Sequence, residues 1–112
     1  MTTPLILHYA PDNASLCVRL ALLALDIPFE TQLVDRSINA QNGPIYMALN
    51  SNGLIPTLIT PDGPIYETGA ILLWLTDQKP GHIFPNVGDP NRAAGLAWLF
   101  WLSNTLHPAL RM

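Results

Sequence analysis

The chain has 112 residues, of which 49% are hydrophobic and only 12% are charged, and its formal net charge is −3. This length allows one domain with a hydrophobic core but not two ordinary domains, and no apolar stretch is long and uninterrupted enough for a membrane span. The acidic balance, without a run of Lys or Arg, argues against nucleic acid as a partner. About twice this share of charged residues is usual, so we expect a partner or further chain to cover some apolar surface.

The first third of the chain predicts a β-α-β unit. Residues 5–9 form a short apolar strand that Pro11 interrupts, and residues 15–25 place leucines at helical spacing up to the breaker Pro28. Residues 29–34 alternate apolar and polar side chains, which is typical of a strand. Two strands joined by a helical crossover are expected to be parallel and right-handed.

The middle of the chain predicts a polar loop and then a hairpin. Residues 35–42 are polar and loop-like, and residues 45–49 allow one or two helical turns. Residues 55–60 form the third strand, and the turn signal at residues 61–64 joins it to a short fourth strand at residues 65–66. The short connection predicts antiparallel pairing.

The last part of the chain predicts two helices. Glu67 and Thr68 are expected to cap a helix that runs through Thr76, and residues 91–110 form a helix that is apolar nearly all round, with Pro108 disturbing its last turn. The expected fold is therefore an α/β domain with a four-stranded mixed sheet and flanking helices, followed by one long apolar helix. We divide the chain into an α/β domain (1–80), a linker (81–90) and the first helix of an all-helical domain that is cut away (91–112).

The most informative stretch lies around Pro56. A proline inside an apolar, strand-like run marks a position where a backbone N–H is dispensable, and the weak trans preference of an X-Pro bond permits a cis bond there. Glu67 and Thr68 add a carboxylate and a hydroxyl at a helix start. Together with a free strand edge at Ile55, they would suit an extended, peptide-like ligand.

Four stretches, taken in order, resemble the N-terminal, thioredoxin-like domain of the cytosolic glutathione transferases. They are residues 9–11, 18–22, 50–58 and 65–71, and they cover about the first 80 residues, which is the size of a domain. The segment from Arg92 to Arg111 resembles the first helix of the second, all-helical domain of that family. The rest of that domain, which supplies most of the electrophile pocket, is absent from the sequence.

The resemblance implies a glutathione site. Pro56 would be cis, and Ile55 would pair its backbone with the cysteinyl part of glutathione. Glu67 and Thr68 would hold the γ-glutamyl amine and carboxylate, and a hydroxyl beside the free N–H groups of a helix start is suited to a carboxylate. Most relatives have Ser at the position of Thr68, and Thr keeps the hydroxyl.

The catalytic position departs from the family pattern. The family places Ser, Cys or Tyr near the end of the first strand to hold glutathione as thiolate, and the equivalent stretch here runs from Asp12 to Ser15. Ser15 is its only hydroxyl and lies at the helix start, whereas Asn13 could donate its amide to the sulfur; we keep both as candidate catalytic residues, with Ser15 first. Cys17 is expected to be a small core hydrophobe rather than a nucleophile.

The implied function is glutathione binding, with conjugation of the glutathione thiolate to an electrophile in the full-length protein. This chain alone would be weakly active or inactive. The alternatives are a non-catalytic interaction or dimerisation module and a glutathione-dependent disulfide reductase. Three separated histidines without neighbouring ligands argue against a metal site.

The sequence also predicts the cellular compartment and the oligomeric state of the protein. The single Cys17 and the absence of a signal peptide favour a reducing, cytoplasmic compartment. An α/β layer covers only one side of a helix, so the terminal helix leaves Trp98, Phe100 and Trp101 uncovered. We therefore expect a homodimer that packs through this helix and surfaces of the sheet domain.

Overall fold

The computed structural model describes residues 4–110, and the sequence assignments at residues 1–3 and 111–112 lie outside them. Four strands form one mixed sheet in the order β2-β1-β3-β4. These are β1 (Leu5–Tyr9), β2 (Phe29–Leu33), β3 (Thr57–Thr60) and β4 (Gly63–Tyr66). β1 pairs in parallel with β2 and antiparallel with β3, and β3 pairs antiparallel with β4. The predicted β-α-β unit and the predicted hairpin are both confirmed.

Helices flank this sheet and close the core. They are α1 (Ser15–Ala24), the single turn α2 (Pro44–Met47) and α3 (Thr68–Gln78). The core lies between the two long helices and the central strands β1 and β3, and it is formed by apolar side chains that are at most 9% exposed: Leu5, Leu7, Val18, Ala21, Leu22, Leu25, Leu58, Ile71 and Leu75. The ends of β1 and β3 and the starts of α1 and α3 are thereby fixed relative to one another.

α1 is apolar on two faces, and only one of them enters the core. Val18 and Leu22 are fully buried, whereas Leu16, Leu20 and Leu23 are more than half exposed. The leucine spacing therefore predicts the helix correctly but does not identify its buried face. The core covers the face that carries Val18, Ala21 and Leu22.

Two segments differ from the sequence prediction. The expected loop at residues 35–42 contains two 3₁₀ turns, Arg36–Ile38 and Ala40–Asn42. β3 begins at Thr57 rather than at Ile55, because Pro56 has no N–H to contribute to the sheet. The bond between Ile55 and Pro56 is cis.

The C-terminal helix is not one continuous α-helix. It consists of α4 (Arg92–Trp101), a π-helical turn (Leu102–Leu106) and α5 (His107–Leu110). The N–H of His107 donates to the carbonyl of Leu102, five residues earlier. Pro108 lies just beyond this turn and cannot donate a backbone hydrogen bond, which accounts for the irregular geometry at the predicted position.

The aromatic side chains of α4 are largely open to solvent. Trp98 is 68% exposed, Phe100 58% and Trp101 44%. The two Trp rings meet edge to face, with 5.6 Å between their centroids. Across residues 4–110, no helix is both long enough and apolar enough to cross a membrane.

Candidate functional site

A cavity of about 530 Å³ opens where the starts of α1 and α3 meet the loop before β3 and the end of the terminal helix. This volume lies in the range of small-molecule sites. The cavity is lined by five of the six residues that the sequence predicts for the site: Asn13, Ile55, Pro56, Glu67 and Thr68. Residues that are up to 55 positions apart in the chain are thus brought to one place.

The start of α3 presents a carboxylate and a hydroxyl to this cavity. Glu67 is the N-cap of α3, and its carbonyl accepts the N–H of Ile71. The expected cap through the Glu67 side chain is not formed. The N-cap residue has a φ of 72° and a ψ of 118°, a conformation that is costly for a residue with a side chain and that occurs often at ligand sites. The carboxylate therefore remains available to a ligand.

A buried hydrogen-bond network holds the loop before β3. The Nδ2 of Asn50 donates to the carbonyl of Leu54 over 3.0 Å and lies 3.3 Å from the Oγ1 of Thr57. The hydroxyl of Tyr46 also bonds to the Leu54 carbonyl and lies 2.7 Å from the same Thr57 oxygen. Tyr46, Asn50 and Thr57 are at most 4% exposed. Burial raises the pKa of Tyr46, so its hydroxyl stays protonated and able to donate.

Asn13 links the start of α1 to this loop. Its Nδ2 donates to the carbonyl of Ile55 over 3.1 Å, and its Oδ1 accepts the N–H of Ser15 over 2.7 Å. An amide nitrogen carries two hydrogens. One of them is used by Ile55, so the second remains able to donate to a ligand in the cavity.

Ser15 is not brought together with the other five residues. It is 2% exposed, and its hydroxyl donates to the carbonyl of Ala10 over 3.0 Å and accepts the Ala10 N–H at 3.3 Å. The side chain therefore ties the start of α1 to the end of β1. It does not line the cavity.

Cys17 lines the cavity one helical turn after Asn13. Its Sγ lies 3.0 Å from the carbonyl of Ala14, to which the thiol donates. Burial raises the pKa of this thiol, and a protonated thiol is a poor nucleophile.

The structure adds cavity residues that the sequence analysis did not select. Arg36 and Gln41 come from the polar segment before α2, and His107 and Leu110 come from the end of the terminal helix. The Oε1 of Gln41 is buried without a hydrogen-bond partner among residues 4–110. The polarity of the segment at 35–42 was the sequence signal for Arg36 and Gln41, and no motif marks His107 or Leu110.

Within the described part of the chain, no group of three or more His, Cys, Asp or Glu residues is arranged to hold a metal ion. The polar groups of the cavity are instead two carboxylates, hydroxyl and amide groups, one imidazole and one guanidinium. Such a set suits a zwitterionic organic ligand.

Comparison with protein families gives a match over residues 14–78 to the glutathione S-transferase, N-terminal domain. Glutathione S-transferase 1 of Schizosaccharomyces pombe is 46% identical over 61 residues, which are 52% of this chain and 27% of that protein. The disulfide-bond oxidoreductase YfcG of Escherichia coli is 32% identical over 111 residues, which are 93% of this chain and 51% of that protein. The chain thus spans about half the length, or less, of these relatives.

Solved structures give the same result for the fold. A glutathione transferase homologue from Sulfitobacter with bound glutathione has a TM-score of 0.85 at 29% identity, covering 95% of this chain and 51% of that chain. The glutathione transferase URE2P8 from Phanerochaete chrysosporium with oxidized glutathione has a TM-score of 0.88 at 26% identity, covering 96% and 51%. These likenesses confirm the predicted thioredoxin-like fold.

Proposed function

The chain belongs to the glutathione S-transferase family, and on this premise we propose that its cavity binds glutathione. The observation that carries the proposal is the convergence of Glu67, Thr68, Ile55 and Asn13 around one cavity. Neighbouring structures of the same fold were solved with glutathione bound. The polar groups of the cavity also match the charged ends of this tripeptide.

The γ-glutamyl end of glutathione is assigned to the start of α3. Its ammonium pairs with the carboxylate of Glu67, and its carboxylate accepts from the hydroxyl of Thr68 and from the first N–H groups of the helix. The cysteinyl backbone lies along Ile55. The glycyl carboxylate then extends towards Arg36, which lines the cavity and whose guanidinium also donates to the carbonyl of Pro11.

Asn13 is the proposed partner of the glutathione sulfur. A free amide hydrogen beside the N-terminus of α1 stabilises a thiolate, because both the donor and the helix dipole favour negative charge there. Ser15 is the weaker candidate, since its hydroxyl is buried against Ala10. No protein thiol takes part, because the Cys17 thiol stays protonated.

The proposed reaction is attack of the bound thiolate on an electrophile. A second candidate is disulfide reduction, in which the thiolate attacks one sulfur of a disulfide, forms a mixed disulfide and releases the other sulfur as thiolate. The similarity to a disulfide-bond oxidoreductase over 93% of the chain favours this candidate. Comparing the turnover rate with a chloro-aromatic compound to the turnover rate with a disulfide substrate distinguishes conjugation from disulfide reduction.

The wider assignments are also proposals. We divide the chain into a glutathione-binding domain (1–80), a linker (81–90) and a first helix of an all-helical domain (91–112), and we expect weak or no turnover from it alone. We place the protein in the cytoplasm as a homodimer, with glutathione as its co-substrate. A non-catalytic interaction module of the same fold is the outcome if glutathione does not bind.

The test of glutathione binding is calorimetry with two pairs of variants. We expect Glu67→Gln and Thr68→Val each to weaken glutathione binding by about 1–3 kcal/mol, because each removes a hydrogen bond to a charged group of the ligand. Thr68→Ser keeps the hydroxyl and should bind like the unaltered chain. Glu30→Gln is the control for charge, because Glu30 is an exposed carboxylate on β2 that lies outside the cavity. Unchanged affinity in both Glu67→Gln and Thr68→Val would refute the site.

A further inference from the structure

In the peptide unit between Leu54 and Ile55, the carbonyl is hydrogen-bonded within the protein and the N–H is not. Its carbonyl oxygen, on Leu54, accepts from both the Tyr46 hydroxyl and the Asn50 Nδ2. These two bonds occupy both lone pairs of the oxygen and point it into the protein. Its N–H, on Ile55, has no acceptor among residues 4–110.

The planarity of the peptide bond fixes where that N–H points. In a trans peptide unit the C=O and the N–H lie in one plane and point in opposite directions. Because the Leu54 oxygen is directed into the protein, the Ile55 N–H is directed outward, and Ile55 lines the cavity. Rotation of this one peptide plane would turn the donor away from a ligand.

The direction of every bond in the network can be assigned. The Tyr46 hydroxyl has one hydrogen, which it gives to Leu54, so at the 2.7 Å contact Thr57 must be the donor. The Asn50 amide gives one hydrogen to Leu54 and the other to Thr57. Its Oδ1 accepts the N–H of Asn52 over 3.0 Å. All donors and acceptors in the network are thus used in one arrangement.

We propose that Tyr46, Asn50 and Thr57 are positioning residues, whose buried network fixes the Leu54–Ile55 peptide plane so that the Ile55 N–H is ready to bond a carbonyl of the bound ligand. The proposal rests on the proposed function for the identity of that ligand, glutathione. Tyr46 and Thr57 do not line the cavity and act on the ligand only through the peptide plane, whereas Asn50 also lines the cavity. The contribution of the network is to remove the cost of ordering this donor during binding.

A pair of threonines on β3 provides the test. Thr57→Val removes the hydroxyl at the network with little change of shape. Thr60→Val is the matched control, because Thr60 is also buried on β3. Its hydroxyl donates to the carbonyl of Gly63 and accepts the N–H of Asp62. Thr60 lies at the end of β3 that is far from Pro56, and it does not line the cavity. Thr57→Ser restores the hydroxyl.

Two measurements are made on the full chain and each variant. Calorimetry with glutathione should show about five- to tenfold weaker binding for Thr57→Val, because both network bonds of its hydroxyl are lost and the Ile55 donor is no longer held in place. Binding should be near-native for Thr60→Val and Thr57→Ser. In NMR spectra without ligand, the Ile55 amide signal should shift and broaden in Thr57→Val alone, because its peptide plane is no longer held in one orientation. A substitution that only lowered stability would not change the Ile55 amide signal more than the signals of other amides.

The outcomes separate the two proposals. If the unaltered chain does not bind glutathione, the proposed function fails, and the Ile55 amide signal still decides whether the network orients the peptide plane. If Thr57→Val and Thr60→Val leave that signal equally unchanged, the network proposal is overturned whatever the affinity for glutathione. Equal weakening of glutathione binding by both variants also overturns it.

Discussion

At the scale of single residues, Asn13 and Ser15 lie two positions apart and have different roles in the structure. The amide of Asn13 faces the cavity, whereas the hydroxyl of Ser15 bonds both backbone groups of Ala10. Sequence analysis favours Ser15 because it carries the only hydroxyl of the stretch. Residue type alone does not reveal that the first turn of α1 directs this hydroxyl towards the end of β1.

This difference leads to opposite expectations for two alanine variants. Asn13→Ala should raise the pKa of the bound glutathione thiol by about one unit, because the thiolate loses a charge-assisted hydrogen bond. Ser15→Ala should leave that pKa unchanged and instead lower the free energy of unfolding by about 1–3 kcal/mol, because buried groups of Ala10 lose their partner. Thiolate ultraviolet absorbance against pH and urea denaturation measure the two effects.

The reverse pattern would reverse the assignment. If Ser15→Ala shifts the thiolate titration and Asn13→Ala does not, the hydroxyl is the sulfur partner and α1 must rearrange when glutathione binds. For Glu67 and Thr68, by contrast, the predicted position at a helix start agrees with the structure, in which they begin α3 and line the cavity. Their role in binding stays a prediction.

At the scale of elements, the loop between α2 and β3 depends on Gly53. Its φ is +64°, and a Cβ there would lie 2.7 Å from the Oδ1 of Asn42 and 3.3 Å from the backbone oxygen of Gln41. Both the backbone conformation and the space therefore favour glycine. Gly53 also lines the cavity, so the shape of the loop and the site are linked.

We expect Gly53→Ala to destabilise the fold by about 1–2 kcal/mol through the left-handed backbone alone, and to weaken glutathione binding as the loop moves away from Asn42. Gly88→Ala is the control, because Gly88 has a φ of +91° and a Cβ added there would meet no atom within 4 Å. It should lose stability without losing affinity. Glutathione affinity that is equal in the two variants would contradict the link between loop and cavity.

The elements were predictable to different degrees. Local apolar runs and breakers located all four strands and helices α1 and α3, because these signals are carried by neighbouring residues. The buried face of α1 was not predictable, because two sets of apolar side chains lie on different faces of this helix. One set is the leucines at 16, 20 and 23, and the other is residues 18, 21 and 22. Packing against the rest of the fold determines which set is buried. The 3₁₀ turns at 35–42 depend on side-chain bonds such as Asp35 to Ser37, which periodicity does not reveal.

At the scale of the whole molecule, the aromatic side chains of α4 leave an apolar surface open to solvent. Burying such side chains on association is favourable, and a two-fold dimer is the simplest arrangement. We expect light scattering to give the mass of a dimer. Trp98→Glu combined with Trp101→Glu should shift the chain to a monomer.

Ile45→Glu is the control for this experiment. Ile45 is 86% exposed on α2, so the variant introduces a charge in place of an exposed apolar side chain on another surface and should leave the mass unchanged. A well-folded monomer for the unaltered chain would contradict the dimer. In that case a different partner would cover Trp98 and Trp101.

The π-helical turn at Leu102–Leu106 changes the phase of the terminal helix. A hydrogen bond that spans five residues accommodates one residue more than an α-helical turn does. The side chains of α5 (His107–Leu110) are therefore rotated around the axis, by about one residue position, relative to a helical wheel drawn from α4. His107 and Leu110 reach the cavity with this added rotation. An inserted or deleted residue within the turn would alter which side chains close the site, although the composition of the helix would hardly change.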